Sequence, residues 1–102
     1  MNKVALVTGC SSGIGLATAI ELAKNDYITY ASMRDTSKKE KLVEQFSKTE
    51  GTEDKVLHII PLDVSNDESV SNAFRTILES NDRIDVLVNN AGYGYFGSVE
   101  ST

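Results

Sequence analysis

Three glycines near the start of the chain have the spacing of a turn that can hold a phosphate. They lie in the segment 8–15 (TGCSSGIG), between a short apolar run and a segment of helical periodicity. Gly9 would let the chain turn off a strand, and Gly13 would let the backbone approach a diphosphate without an intervening Cβ. Gly15 would let the helix pack closely, and the positive end of that helix favours an anion. The spacing G-x-x-x-G-x-G departs from the common G-x-G-x-x-G, and such a turn can also be purely structural.

Polar residues follow three later apolar runs. Arg34 follows the second run, Asp63 the third, and Asn89 and Asn90 the fourth. An arginine after the second strand of a nucleotide-binding sheet can accept the 2′-phosphate of NADP. Asp63 could instead be a turn acid that prepares the next helix. The two asparagines could simply end a strand, although their place after an apolar strand favours buried amide hydrogen bonds.

The elements that must position these residues alternate between strand and helix. Predicted strands cover residues 3–8, 27–33, 56–62 and 84–88. The first predicted helix follows the glycines and ends before Asn25 and Asp26, the second covers 37–47, and the third covers 66–80. This alternation predicts an α/β fold with a parallel sheet between helices. About four strands in the order 3-2-1-4 would form part of a doubly wound, or Rossmann, sheet.

Composition excludes several classes of protein. The 102 residues carry 10 Lys and Arg against 15 Asp and Glu, a net charge of −5 that argues against nucleic acid as a partner. The single cysteine, Cys10, excludes an internal disulfide and multi-cysteine metal sites, so we expect no metal. No apolar run near the start is long enough for a membrane span. We therefore expect a single cytoplasmic domain that does not bind membranes.

Cys10 and the one histidine, His58, receive no functional role. Cys10 lies near the start of a predicted helix, which can lower the pKa of a thiol, but no partner base is evident. His58 lies within an apolar strand, where a lone histidine is more often a packing or surface residue than a ligand.

Together these motifs resemble the short-chain dehydrogenases and reductases. The resemblance covers nearly the whole chain, from the glycine turn through Asp63-Val64 to the segment 89–92 (NNAG). Segments 27–34 and 93–100 are more loosely similar to the branch that acts on steroids, retinoids and other lipophilic alcohols. The resemblance implies cofactor contacts at these positions: Gly9, Ser11, Ser12, Gly13, Ile14, Gly15, Arg34, Asp63, Val64, Asn89, Asn90, Ala91 and Gly92.

The cofactor expected from this pattern is NADP rather than NAD. Met33 stands where NAD-binding relatives carry an acid, and Arg34 stands where NADP-preferring members often carry a base. A guanidinium group can bind a phosphate through two parallel hydrogen bonds. Two residues argue the other way: Ser12 replaces a second basic residue found in many NADP-binding relatives, and Asp35 could reach the ribose if the loop shifted by one residue.

The activity implied by the resemblance is hydride transfer between nicotinamide and a carbonyl or secondary alcohol. The family uses a tyrosine with a lysine four residues later, because a phenol titrates near 10 when unperturbed. None of the four tyrosines here has that lysine, so no catalytic residue is assigned: they are Tyr27, Tyr30, Tyr93 and Tyr95. A catalytically silent nucleotide-binding or interaction module is the alternative. A methyltransferase is a third reading, which Arg34 and the asparagine run argue against.

Residues 1–102 are therefore expected to be the N-terminal part of a single NAD(P)-binding Rossmann domain, with the catalytic elements of the family beyond Thr102. Such a piece would leave the apolar edge of the fourth strand unpaired. An unpaired edge is a template for pairing with another chain. We accordingly expect a homo-oligomer with that edge exposed.

Overall fold

A mixed sheet forms the centre of the molecule. The computed structural model describes residues 2–11, 13–90 and 98–100. The strands are β1 (Val4–Val7), β2 (Ile28–Met33), β3 (Leu57–Pro61), β4 (Val86–Val88) and β5 (Ser98–Glu100). The helices are α1 (Gly13–Lys24), α2 (Glu40–Lys48) and α3 (Asp67–Asn81), with a 3-10 turn at Thr36–Lys38. The first four strands are parallel and stand in the order β3-β2-β1-β4, which confirms the doubly wound α/β fold.

The alternation of side chains along β1 explains how this strand contributes to a core on each face of the sheet. All four residues of β1 are buried, as expected for a central strand of a parallel sheet. Val7 belongs to a cluster built with α1 and α2 on one face. Val4 and Leu6 belong to a second cluster, built with α3 on the other face. Side chains of a strand alternate between faces, so one short apolar run supplies both cores.

Local side chains set where α3 and the 3-10 turn before α2 begin. Asn66 caps α3, because its Oδ1 accepts a hydrogen bond from the amide of Ser69 at 3.0 Å. The predicted second helix is divided, because Asp35 accepts hydrogen bonds from the amide and hydroxyl of Ser37 and so begins a 3-10 turn before α2. Within the described residues, no helix has the length and apolarity needed to cross a bilayer.

The prediction that the fourth strand has an exposed edge is wrong. β5 pairs with β4 in antiparallel register, with Val99 opposite Leu87. The backbone groups of β4 that face away from β1 therefore have partners within the same chain, since each inner strand of a sheet hydrogen-bonds on both sides. The expectation of self-association through this edge loses its physical basis.

Candidate functional site

The glycine turn leaves β1 and enters α1 through two residues of left-handed backbone. Gly9 has φ 66° and Gly13 has φ 64°, a region that side chains with a Cβ disfavour. The left-handed conformation of Gly9 agrees with its predicted role in turning the chain off the strand, and that of Gly13 is a reason for glycine that the sequence analysis did not give. The turn lies at the carboxyl edge of the parallel strands, where doubly wound sheets bind ligands.

Gly15 is required for a different reason, namely close packing. A Cβ built on Gly15 would lie 2.2 Å from the carbonyl oxygen of Gly9 and 2.8 Å from Nδ2 of Asn90. The first turn of α1 thus rests directly on the glycine turn and on the segment after β4. The sequence predicted tight helix packing at Gly15, and the structure identifies its two neighbours.

Open space lies beside Gly13 at the start of α1. Among the described residues, apart from its chain neighbours and the backbone of α1, a Cβ built on Gly13 would meet no atom within 4 Å, in contrast to Gly15. The next residue, Ile14, has an apolar side chain that is 72% exposed. The first amides of a helix lack intrahelical acceptors. The first turn of α1 carries no acidic residue that would repel an anion. This corner can therefore accept an anion with an apolar group beside it.

Thr8 joins the ends of β1 and β4. Its amide donates to the carbonyl of Val88 at 3.0 Å, and its hydroxyl donates to Oδ1 of Asn89 at 3.1 Å. The same hydroxyl accepts a hydrogen bond from the amide of Asn90 at 2.7 Å. Asn89 is exposed and Asn90 is half-buried, so the expectation of buried amides was wrong for Asn89. The hydroxyl of Thr8 instead fixes this segment beside the glycine turn.

A second set of hydrogen bonds joins the glycine turn to β2. The amide of Cys10 donates to the carbonyl of Ser32 at 3.0 Å, and the hydroxyl of Ser32 donates to the carbonyl of Val7, also at 3.0 Å. The thiol of Cys10 donates to the same Val7 carbonyl at 3.2 Å. All three residues are fully buried. The start of the turn is therefore attached to the strand that leads to Arg34.

Burial should make Cys10 chemically inert. Burial raises the pKa of the thiol to about 12, and a hydrogen bond with the backbone of Ser32 lowers it only in part. Because this pKa lies above the ordinary value of 9.0, the native state holds the proton more tightly. The associated stability is present below pH 9 and is lost as the pH rises towards 12.

We therefore expect iodoacetamide to alkylate native Cys10 about a thousandfold more slowly than a free thiol near pH 8, because only the thiolate reacts. Mass spectrometry of timed samples measures the rate. The control is the same reaction in concentrated guanidinium chloride, where alkylation should become fast. Equal rates in the two conditions would contradict this expectation.

Arg34 is an exposed cation at the carboxyl end of β2. Among the described residues it makes no ion pair within 4.0 Å. Met33, which precedes it, is buried and brings no charge. Asp35, which follows it, is engaged as the cap of the 3-10 turn, and the Ser37 hydroxyl is the main cause of its lowered pKa. Asp35 is therefore less suited to bind a ribose than the sequence alone allowed.

Asp63 follows β3 and lies close enough to Arg34 for the two charges to interact. Its Oδ1 accepts hydrogen bonds from the hydroxyl of Ser65 at 2.7 Å and from the Ser65 amide at 3.0 Å. These bonds lower the pKa of Asp63, and the charge of Arg34 lowers it further. Asp63 therefore stabilises the turn before α3, as the alternative reading of the sequence predicted. Val64, next to it, packs against the core on the α3 face.

Three of the predicted site residues, Ser12, Ala91 and Gly92, lie outside the described residues. Ser11 is half-buried within the turn. Sequence reasoning assigned no positioning role to Thr8 or Ser32. The place of Thr8 at the last position before the glycines was a usable signal, since it must lie at the strand end. Nothing in the sequence marks Ser32, because its role depends on the pairing of β1 with β2.

Comparison with known proteins shows consistent similarities. A family model described as short chain dehydrogenase matches residues 3–102. The chain is 43% identical to estradiol 17-beta-dehydrogenase 1 of Rattus norvegicus, over 98% of this chain and 29% of that protein. It is also 43% identical to retinol dehydrogenase 8 of Homo sapiens, over 96% of this chain and 30% of that protein. The chain thus spans about 30% of the length of these relatives.

Solved structures share the fold. Menthone neomenthol reductase from Mentha piperita superposes with a TM-score of 0.80 at 30% identity, covering 91% of this chain and 32% of that one. A metagenomic short-chain oxidoreductase in complex with NADP superposes with a TM-score of 0.77 at 32% identity, covering 93% of this chain and 41% of that one.

Proposed function

The chain belongs to the short chain dehydrogenase family, and on that premise we propose that it is the NADP(H)-binding part of an oxidoreductase that transfers hydride between nicotinamide and a carbonyl or secondary alcohol. Residues 1–102 would form the N-terminal part of one NAD(P)-binding Rossmann domain. The observation that carries the proposal is the open corner beside Gly13, at the start of α1 and at the carboxyl edge of the sheet. The bound cofactor supplies the hydride chemistry, and the residues of this chain hold it.

The diphosphate would bind at the glycine turn. Its residues fit this group, because Gly13 leaves space for close backbone approach and the first amides of a helix have no acceptor within the helix. Ser11 would add a hydroxyl beside these amides. Ile14, whose side chain is largely exposed, would be covered by the bound cofactor. Gly9 and Gly15 would hold the turn in the required shape.

The adenosine end of the cofactor would lie between the ends of β2 and β3. Arg34 would bind the 2′-phosphate, since it is exposed and no carboxylate neutralises it through a direct ion pair within the described residues. The engagement of Asp35 with Ser37 supports NADP over NAD. Asp63 and Val64 would line the adenine, with Asp63 held in place by Ser65.

The segment after β4 would lie beside the nicotinamide ribose. Asn89 and Asn90 are fixed there by Thr8, close to the first turn of α1. By family resemblance we assign Ala91 and Gly92 to the same segment, and Ser12 to the glycine turn.

The substrate class is proposed as a lipophilic alcohol or ketone. Two relatives at 43% identity carry names that refer to estradiol and to retinol. This support comes from relatives about three times longer than the chain. Activity measurements therefore need the protein at its full natural length.

Replacing Arg34 with alanine tests the cofactor assignment. We expect the dissociation constant for NADPH to rise about 10- to 100-fold, the effect of losing a charge-assisted hydrogen bond or a bidentate pair, and that for NADH to stay nearly constant. Fluorescence titration of the natural-length protein with both cofactors measures the effect. Arg75→Ala is the matched control, because Arg75 is an exposed arginine on α3.

Two outcomes would contradict the proposal. An Arg34→Ala protein that binds NADPH as tightly as the unsubstituted protein would remove the assigned role of Arg34. Preferential binding of S-adenosylmethionine over both nicotinamide cofactors would exclude a dehydrogenase altogether.

A further inference from the structure

A buried hydroxyl lies between the two parts of the proposed cofactor site. Ser32 is on β2, two residues before Arg34, and its side chain is fully buried. Its hydroxyl donates to the carbonyl of Val7, the last residue of β1, at 3.0 Å. Its own carbonyl accepts the amide of Cys10 in the glycine turn at 3.0 Å. Ser32 therefore contacts both the strand that ends at the turn and the turn itself.

The end of β2 is held on two sides. On the β1 side, Ser32 makes the contacts with Val7 and Cys10. On the β3 side, the carbonyl of Met33 accepts the amide of Leu62 at 2.9 Å. These bonds fix the backbone immediately before Arg34. Buried hydrogen bonds between strand ends are strong constraints, because a shift would leave a polar group without a partner.

We infer that Ser32 is a positioning residue that sets the preference of this protein for NADPH over NADH. It does so by fixing the distance between the glycine turn, which would hold the diphosphate, and Arg34, which would hold the 2′-phosphate. The inference rests on the proposed function. A guanidinium group binds a phosphate through a planar pair of hydrogen bonds, so a small displacement of the backbone before Arg34 weakens the contact.

NADH provides the internal reference for this effect. It shares the diphosphate with NADPH but lacks the 2′-phosphate, so a change in the turn alone alters the affinities for both cofactors equally. A displaced Arg34 alters only the affinity for NADPH. The ratio of the two dissociation constants therefore separates positioning of Arg34 from a general loss of structure.

Ser32→Ala in the natural-length protein is the primary test. We expect the NADPH preference, measured as the ratio of the NADH and NADPH dissociation constants, to fall about three- to tenfold, the range of a single neutral hydrogen bond. Ser32→Thr keeps the hydroxyl on a strand residue and should restore the ratio. Ser32→Cys retains a weaker donor of similar size and should give an intermediate ratio.

Thr29→Val is the matched control. Thr29 is also a fully buried hydroxyl residue of β2, and its Oγ1 donates to the carbonyl of Tyr27 at 3.1 Å. It lies near the start of the strand, away from Arg34. The substitution should lower the melting temperature and leave the cofactor ratio unchanged.

The outcomes separate the two hypotheses. An unchanged ratio in Ser32→Ala, or an equal fall of the ratio in Thr29→Val, overturns the role of Ser32 while leaving the proposed function intact. If Ser32→Ala does not fold, an unchanged ratio in Ser32→Cys overturns the role in the same way. Failure of the unsubstituted protein to bind either cofactor overturns the proposed function, and the inference with it.

Discussion

Alanine at Gly15 is expected to destabilise the protein by about 2 kcal/mol or more and to abolish measurable NADPH binding. The added methyl would lie 2.2 Å from the carbonyl oxygen of Gly9 and 2.8 Å from Nδ2 of Asn90. Both neighbours belong to constrained structure, because Gly9 is backbone in a tight turn and Thr8 holds the backbone of Asn90. A clash this close with backbone belongs at the upper end of the overpacking cost, about 3 kcal/mol or more, which exceeds the gain of about 1 kcal/mol from alanine in a helix.

Thermal unfolding and NADPH titration measure the two effects of Gly15→Ala. A loss of about 2 kcal/mol should lower the melting temperature of a domain of this size by about 8 °C or more. Ala17→Ser is a control in the same helix, since Ala17 is exposed and a slightly larger side chain there meets solvent. A Gly15→Ala protein with unchanged melting temperature and NADPH affinity would show that α1 does not pack on the glycine turn as described.

Alanine at Gly13 is expected to have a small effect on stability and a large effect on cofactor binding. Within the part of the chain that the structure describes, the added methyl meets no atom within 4 Å beyond its chain neighbours and the backbone of α1, so the cost to stability comes from the left-handed backbone, φ 64°. That cost is about 1–2 kcal/mol. The methyl occupies the space where the diphosphate would approach the backbone. Loss of one or two charge-assisted hydrogen bonds, each about 1.5–3 kcal/mol, should weaken NADPH and NADH binding about 10-fold or more.

Gly51→Ala is the matched control for Gly13→Ala. Gly51 also has positive φ, 90°, and its nearest neighbour for a new methyl is the flexible end of Lys24 at 3.2 Å. It lies in the loop after α2, so its substitution should cost similar stability and leave cofactor binding unchanged. If both alanine variants weakened NADPH binding equally, the effect would be one of stability, and the diphosphate would not bind at Gly13.

The fold could be predicted well because its determinants are local. The apolar run of β1 supplies both faces of the core, and Asn66 marks the start of α3 as an N-cap. Strand and helix positions agreed within a few residues, and the order 3-2-1-4 was correct. The second helix was less accurate, because the bond between Asp35 and Ser37 competes with the helix backbone. β5 was missed, since an antiparallel return strand leaves no mark in the alternation of β and α segments.

Local sequence patterns were sufficient to predict the alternating α/β fold, the glycine turn after β1 and the polar residues that follow each strand. These features depend on side-chain periodicity and backbone freedom over a few neighbouring residues. Three further features became visible in the folded chain: Gly15 meets Gly9 and Asn90, Thr8 anchors the segment after β4, and Ser32 joins the turn to β2. The hydrogen bonds of Ser32 with Val7 and of Thr8 with Asn90 join residues 25 and 82 positions apart. They exist only once strand pairing has fixed the register, because a hydrogen bond or a close contact depends on distances that no local pattern encodes.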